Sequence, residues 1–310
     1  MSTRRREPPA SSMPELRTSP VAVVAPATSA NLGPGFDALG LTLGLYDTVE
    51  AGVAGDGLTI EVDGEGAGEV PLDERHLVVR SLRAGLAALG AEPAGLRVRC
   101  HNVIPHGRGL GSSAAAIVSG LRLAEALVVG ARWSRIEVLS LATRLEGHPD
   151  NVAACLFGGL TVAWTTGGSA PDSVSLAVHP DVRPVVFVPP SVLSTHMARS
   201  LLPAQVSHAS ASANAGRAAL VVAALTTEPA HLLAATHDEL HQEYRRAAMP
   251  ESLDLVDRLR GAGIAAVVSG AGPSVLAMVT RAELIDAQAW TPPGWTELRL
   301  PVDALGARVA

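Results

Sequence analysis

A loop rich in glycine and serine at residues 105–115, PHGRGLGSSAA, is suited to holding an anion. Its three glycines keep side chains off the backbone, so successive amide N–H groups can converge on one anion. The apolar run at 114–127 predicts a helix, whose first turn adds unsatisfied N–H donors and the positive end of the dipole. The hydroxyls of Ser112 and Ser113 lie at its mouth and can supply an oxygen ligand to Mg²⁺. We therefore predict a phosphate site made by Pro105, His106, Gly107, Arg108, Gly109, Leu110, Gly111, Ser112, Ser113, Ala114 and Ala115.

This loop differs from the two commonest phosphate-binding motifs. Its glycine spacing is tighter than G-x-G-x-x-G, and no long apolar strand leads into it. No lysine follows the last glycine, and all 24 basic residues of the chain are arginine. A lysine base, a Schiff base and a lysine phosphate clamp are therefore excluded.

A second group of residues could hold an amino acid. Asn31 and Asp37 lie in a turn-rich segment, where a carboxylate can bind an ammonium group. Thr195 and Arg199 are one helical turn apart, and Arg245 supplies a second guanidinium. Two arginines and a threonine can hold a carboxylate through charge-assisted hydrogen bonds, so the set matches a zwitterionic ligand.

Three ordered blocks carry a resemblance to the GHMP kinases, the superfamily of galactokinase, homoserine kinase, mevalonate kinase and phosphomevalonate kinase. They are PATSANLGPGFD at 26–37, the loop at 105–115, and SGAGPS at 269–274. The resemblance covers roughly residues 20–305. It implies an α+β fold of two domains, the first like ribosomal protein S5 domain 2 and the second a ferredoxin-like α/β sandwich. It also implies phosphoryl transfer from ATP with Mg²⁺.

The resemblance assigns roles within this chain. Ser113 and Glu146 would hold Mg²⁺, and Asn31, His148 and Asn151 would contact the acceptor. Asp150 is either a general base, as in mevalonate-type relatives, or structural, because the lysine that normally accompanies such an acid is absent. The implied catalytic residues are Asn31, Glu146, Asp150 and Asn151, and those for the acceptor are Asn31, Asp37, His148, Asn151, Thr195, Arg199 and Arg245.

Within the superfamily, the chain looks most like the homoserine kinases. The shared segments are EGHPDNVA at 146–153, T-x-x-x-R-x-x-L-P at 195–203 and HQ-x-YR at 241–245. This implies transfer from ATP to the hydroxyl of L-homoserine, in threonine biosynthesis. Kinases for mevalonate or shikimate, and a ligand-binding sensor without activity, remain alternatives. His76 stands where relatives often carry asparagine, so the adenine contacts stay unassigned.

Composition narrows the class of protein. The net charge of −6 argues against nucleic-acid and anionic-membrane surfaces. No segment approaches the ~20 uninterrupted apolar residues of a membrane helix. Two cysteines fit a reducing cytoplasm better than a disulfide scaffold. The oligomeric state stays open, with a homodimer as one option.

Strands and helices must position these residues. The patterns predict a disordered tail at 1–18, a nucleotide-binding domain at 19–165 and a second domain at 166–310. Aromatics form only 3% of the chain, so the core must consist of alanine, valine and leucine. Ser134 is the predicted N-cap of a helix that ends near Leu145. Further helices are predicted at 77–89, 212–225, 231–240 and 253–259, and strands at 21–25, 46–53, 58–62, 96–100, 157–164, 185–188, 265–269, 275–279 and 298–302.

Overall fold

The computed structural model describes residues 14–165, 167, 170–280 and 287–310. In these ranges the helices are α1 Leu77–Ala88, α2 Ser112–Leu127, α3 Arg135–Glu146, α4 Asp150–Phe157, α5 Thr195–Ser200, α6 His208–Thr226, α7 Leu232–Ala235, α8 Pro250–Gly261 and α9 Ala287–Trp290. The strands are β1 Val21–Ala30, β2 Leu39–Ala54, β3 Gly57–Gly64, β4 Gly95–Asn102, β5 Leu160–Thr165, β6 Pro171–Leu176, β7 Arg183–Val188, β8 Ala265–Val268, β9 Val275–Val279, β10 Thr296–Arg299 and β11 Arg308–Val309.

The first sheet carries the helices that hold the glycine-serine loop. Its strand order is β11-β1-β2-β4-β3, with β5 on β2 and β6 on β5. Strands β1 and β2 pair antiparallel, whereas β3 runs parallel to β4. Helix α2 packs against α1 and β1 through alanine, valine, leucine and isoleucine, so the core is aliphatic, as predicted.

The second sheet has the order β10-β7-β9-β8, and all its pairs are antiparallel. Helix α8 covers one of its faces, and the other face joins the core of the first sheet. The connection after β7 and the loop between β8 and β9 lie beside the glycine-serine loop, because the N–H groups of Leu193 and Ser274 donate to the carbonyls of Gly107 and Arg108.

The chain passes from one sheet to the other later than predicted. Strands β5 and β6 form a hairpin in the first sheet, with Thr165 opposite Pro171. The predicted division between residues 165 and 166 falls inside this hairpin, so it is inconsistent with the strand pairing. On strand topology we propose a boundary at residues 177–182. The chain then returns at its end, where Val309 pairs with Val23.

Two local predictions are corrected. Residues 1–13 of the predicted tail lie outside the described residues, but Leu16 pairs with Val128, and Arg17 donates to the Leu127 carbonyl, so residues 16 and 17 are ordered. The predicted helix at 231–240 is reduced to a 3₁₀ turn and Leu232–Ala235. The Asp238 carboxylate accepts from the backbone N–H groups of residues 240–242, which competes with helical bonding.

Helix α3 begins as predicted. Ser134 accepts from the Glu137 N–H, and Glu137 accepts from the Ser134 N–H, which completes a capping box. In the described part of the chain, no helix is both long and apolar enough to span a membrane.

Candidate active site

The glycine-serine loop requires glycine at its alternate positions. Gly107, Gly109 and Gly111 have φ values of 65°, 74° and 71°. A Cβ on Gly109 would lie 2.2 Å from the carbonyl oxygen of Ser269, and one on Gly111 would lie 1.9 Å from Thr28 Oγ1. Helix α2 begins directly after Gly111 without a side-chain cap, which leaves its first N–H groups for an anion.

Ser113 and Glu146 meet at the ends of two helices. Ser113 Oγ, in the first turn of α2, donates to Glu146 Oε1 at 2.7 Å. Glu146 is the last residue of α3, which ends at Gly147 in a left-handed conformation. Burial raises the pKa of the Glu146 carboxyl, while the Ser113 hydroxyl and His148 oppose that shift.

This pair suits Mg²⁺ as a partial ligand set. One carboxylate and one hydroxyl are hard oxygen ligands, and Mg²⁺ commonly takes one or two protein carboxylates with phosphate oxygens and water. A cation here would also favour the ionised form of the buried Glu146 carboxyl. Among the described residues no group of three or more His, Cys, Asp or Glu side chains could bind a metal by itself.

His148, Asp150 and Asn151 form a connected cluster at the start of α4. Asp150 is buried, and its Oδ1 accepts from His148 Nδ1 at 2.7 Å and from the Asn151 N–H at 2.7 Å. Thr28 Oγ1 donates to Asn151 Oδ1 at 2.7 Å. Burial alone would lower the pKa of His148, but Asp150 and then Glu146 outweigh it and raise that pKa.

Asp37, in the turn after β1, and Arg199, on α5, bind each other. Both guanidinium terminal nitrogens of Arg199 donate to the Asp37 carboxylate, one of them at 3.0 Å. Asn31 holds the turn before Asp37: its Oδ1 accepts from the Asp37 N–H at 3.0 Å, and its Nδ2 donates to the Gly270 carbonyl at 2.9 Å. Asn31 therefore joins the turn to the loop between β8 and β9.

Arg245 is a buried cation in the same region, with 1% of its surface exposed. It donates to the carbonyl of Ala198 at 3.1 Å and to His241 Nδ1 at 3.0 Å. His241 Nε2 donates to the Gly33 carbonyl at 2.8 Å, so the imidazole is neutral with its proton on Nε2. Burial, followed by the charge of Arg199, lowers the pKa of Arg245 to about 10.

Most of these groups line a cavity of about 150 Å³, which we call the acceptor cavity. Asp37 is not among its lining residues, but it pairs with Arg199, which is. It brings together most of the predicted site: Asn31, Gly107, Gly109, Gly111, Ser112, Ser113, Glu146, His148, Asp150, Asn151, Thr195, Arg199 and Arg245. Gly270 and Gly272, between β8 and β9, also line it.

A neighbouring cavity of about 290 Å³, which we call the base cavity, shares Ser112 and Ser113 with the first. Its walls include Asp47, His76, His106 and Ser119. His76 Nδ1 and Ser119 Oγ are buried without a hydrogen-bond partner. Buried polar atoms normally have partners, so this cavity is suited to a ligand with polar edges.

Several predicted loop residues do not face either cavity. Leu110, Ala114 and Ala115 are at most 1% exposed and their side chains belong to the hydrophobic core, so only their backbone groups could take part in the predicted phosphate site. Pro105 and Arg108 line a separate groove between the two sheets. Helix amphipathicity places the alanines inward, and the side chain of Arg108 is drawn outward by backbone carbonyls.

Sequence reasoning missed Phe36 and the part played by His241. The Phe36 ring stacks on His241 at 5.1 Å, and the guanidinium groups of Arg199 and Arg245 lie 5.4 and 5.7 Å from its centre. Phe36 therefore supports both arginines through cation–π contacts. Its position next to Asp37 in a glycine- and proline-rich turn was the available signal.

Comparisons with known proteins agree on one family. The family model for the GHMP kinases N terminal domain matches residues 76–159, and the one for the GHMP kinases C terminal domain matches residues 221–289. A homoserine kinase of Streptomyces avermitilis is 54% identical over 298 residues, which cover 96% of this chain and 97% of that protein. One of Mycobacterium tuberculosis is 52% identical and covers 85% of each chain. The crystal structure of homoserine kinase from Cytophaga hutchinsonii superposes with a TM-score of 0.82 at 28% identity, covering 94% of this chain and 97% of that one.

Proposed function

This chain belongs to the homoserine kinase family of the GHMP kinases, which confirms the predicted two-domain α+β fold, and on that premise we propose how it works. It transfers the γ-phosphoryl group of ATP to the side-chain hydroxyl of L-homoserine and forms O-phospho-L-homoserine. The observation that carries the mechanism is the meeting of the acceptor cavity and the base cavity at Ser112 and Ser113.

The nucleotide spans the two cavities in this proposal. Its base occupies the base cavity, where His76 Nδ1 and Ser119 Oγ offer unused hydrogen-bonding positions. The triphosphate then lies over the first turn of α2 and the glycines of the loop, whose N–H groups bind phosphate oxygens. The γ-phosphoryl group thereby reaches the acceptor cavity.

The acceptor amino acid is held by exchange of an existing ion pair. Its ammonium group replaces Arg199 as the partner of Asp37, and its carboxylate takes the guanidinium that Asp37 releases. Arg245 adds a second positive charge near Arg199, since its own hydrogen bonds are to the carbonyls of Ala198 and Gly270 and to a neutral imidazole. A zwitterion satisfies both signs, whereas mevalonate and shikimate lack the ammonium group.

Ser113 and Glu146 would hold Mg²⁺ beside the phosphates. When bound, the ion neutralises charge that develops on the phosphate oxygens. The Glu146 carboxylate is well placed for this because it lies between the start of α2 and His148.

Asp150 acts mainly through its neighbours in this mechanism. Its carboxylate fixes the His148 ring and the Asn151 backbone, so these two residues can position the acceptor hydroxyl. The raised pKa of His148 favours the imidazolium form, which adds positive charge near the transferred group. In-line placement and charge neutralisation then provide most of the rate.

An ADP-release assay tests the assignment with homoserine, mevalonate, shikimate and galactose as acceptors. We expect turnover with homoserine, with the product identified by ³¹P NMR as a phosphate ester of its hydroxyl. Turnover with mevalonate but none with homoserine would assign another kinase activity. Calorimetric binding of homoserine without transfer of labelled phosphate would favour the sensor alternative.

We also propose the wider setting of the reaction. The product would supply threonine synthesis, the enzyme would act in the cytoplasm, and a homodimer is its proposed assembly. Threonine auxotrophy of a deletion strain, cell fractionation and sedimentation equilibrium test these three statements.

A further inference from the structure

The carbonyl groups of the glycine-serine loop are held by the second half of the chain. The Gly107, Arg108 and Gly109 carbonyls accept, in that order, from the Leu193 N–H at 2.9 Å, the Ser274 N–H at 3.3 Å and Ser269 Oγ at 2.7 Å. In a trans peptide the N–H points opposite to the carbonyl. Contacts that fix these carbonyls toward the second half therefore also fix the directions of the following N–H groups.

Arg108 extends this contact with its side chain. All three guanidinium nitrogens donate to main-chain carbonyls: Nε to Pro189 at 3.1 Å, Nη2 to Pro190 at 3.1 Å and Nη1 to His106 at 2.9 Å. One side chain thus bridges the glycine-serine loop and the segment that follows β7.

The bridged segment leads directly to the acceptor cavity. Residues 189–194 connect β7 to α5, and α5 presents Thr195 and Arg199 to that cavity. Pro190 has no N–H to donate to a neighbouring strand, so the position of this segment depends on the hydrogen bonds that its other groups make. The Arg108 side chain is one of them, and the Leu193 N–H is another.

We propose that Arg108 is a positioning residue that couples nucleotide binding to acceptor binding, rather than a phosphate ligand. When phosphate binds, it fixes the loop N–H groups, and through the Arg108 contacts it also restricts residues 189–194 and α5. Acceptor binding to α5 restricts the loop in the same way, since coupling between two binding sites is reciprocal. This inference rests on the proposed kinase function.

Calorimetry on the full chain measures this coupling. The dissociation constant of homoserine is determined with and without a saturating non-hydrolysable ATP analogue and Mg²⁺, and the ratio of the two constants is the coupling factor. We expect a factor of about fivefold or more for the wild-type protein. In Arg108→Met the factor should fall toward one, while homoserine binding without nucleotide stays close to wild type. Arg108→Lys should have a coupling factor between those of the wild type and Arg108→Met, because one ammonium group cannot replace the hydrogen bonds of three guanidinium nitrogens.

Arg183→Met is the matched control. The Arg183 guanidinium also donates to backbone carbonyls, those of Pro180 at 2.6 Å and Val182 at 2.9 Å, but Arg183 lines neither the acceptor cavity nor the base cavity. This variant should keep the wild-type coupling factor. Thermal unfolding shows whether each variant is folded, and Arg108→Gln replaces the methionine variant if that one is not.

Three outcomes would overturn the inference. One is a wild-type protein without coupling, and another is Arg108→Met with wild-type coupling. The third is weaker nucleotide binding with an unchanged factor, which would make Arg108 a phosphate ligand. Absence of homoserine binding by the wild-type protein is a separate result, which contradicts the proposed function itself.

Discussion

The carboxylate of Asp37 and the guanidinium of Arg199 form a bidentate ion pair although 162 residues separate them in the chain. Asp37 has a φ of 56° in a turn of the first half, and Arg199 lies on α5 of the second half. The pair links the two halves beside the acceptor cavity, which Arg199 lines and Asp37 does not. Both side chains are about one-third exposed, so a ligand can reach and separate them.

Asp37→Asn should weaken homoserine binding with little effect on ATP. The amide keeps the shape of the side chain but loses the charge that pairs with an ammonium group. A charge-assisted hydrogen bond contributes roughly 1.5–3 kcal/mol, so we expect KM for homoserine to rise about 10- to 100-fold. Steady-state kinetics with each substrate varied in turn measures this. Asp63→Asn, which breaks the exposed Asp63–His101 pair and lies at neither cavity, is the control and should change neither KM. A larger effect on KM for ATP would contradict the assignment of Asp37 to the acceptor.

Glu146→Gln should lower turnover more than it lowers homoserine binding. The amide can still accept from Ser113 Oγ, but it carries no charge for Mg²⁺. We expect kcat to fall by about 100-fold, together with a higher Mg²⁺ concentration for half-maximal rate. Mg²⁺ titrations of the initial rate measure both.

Glu137→Gln is the matched variant for Glu146, because Glu137 lies at the opposite end of α3. It should leave the Mg²⁺ dependence unchanged. A Glu146→Gln enzyme with the wild-type Mg²⁺ dependence would exclude Glu146 as a metal ligand.

Gly109→Ala should abolish activity through the geometry of the loop. Its φ of 74° disfavours a side chain, and the added Cβ would meet the Ser269 carbonyl oxygen and the Gly272 backbone. Gly130→Ala is the control, because Gly130 has a φ of 78° but open space around its Cβ position. Gly130→Ala should lower the free energy of unfolding only by the cost of a side chain on a left-handed backbone, about 1–2 kcal/mol. Urea unfolding measures this. Equal losses of stability in both variants would mean that the contact with Ser269 is not limiting.

The sequence alone predicted those parts of the site whose geometry depends on a few neighbouring residues. The alternate glycines at 107–111 require a left-handed backbone, and Ser134 with Glu137 specifies a capping box, so both positions follow from a few neighbouring residues. The residue types that surround the acceptor cavity were also recognisable, because a zwitterion demands both signs of charge.

Contacts between distant segments account for two features that the sequence alone does not reveal. Position in the loop makes Arg108 a predicted phosphate ligand. The direction of its side chain is set instead by carbonyls 81 and 82 residues away, which no local pattern reveals. Asp37 and Arg199 were assigned to opposite ends of the ligand, and only the folded chain shows that they pair without it. The helix predicted at 231–240 has a local cause of error: α7 ends at Ala235, and the Asp238 carboxylate accepts from the N–H of Leu240 and of the two residues that follow it.

The protonated His148–Asp150 pair should stabilise the fold in a defined pH range. The pKa of His148 is raised in the folded protein because Asp150 and Glu146 outweigh burial and the repulsion from Arg199. The native state therefore binds this proton more tightly than the unfolded chain, whose histidine pKa is about 6.5. The added stability is fully present below that value and is lost as pH rises through the higher native pKa. Urea unfolding at a series of pH values measures the difference between the wild-type protein and His148→Gln. We expect this difference to decline with rising pH, and Asp150→Asn to remove most of the decline. Parallel pH curves for the wild type and His148→Gln would show that the pair does not stabilise the fold through this proton.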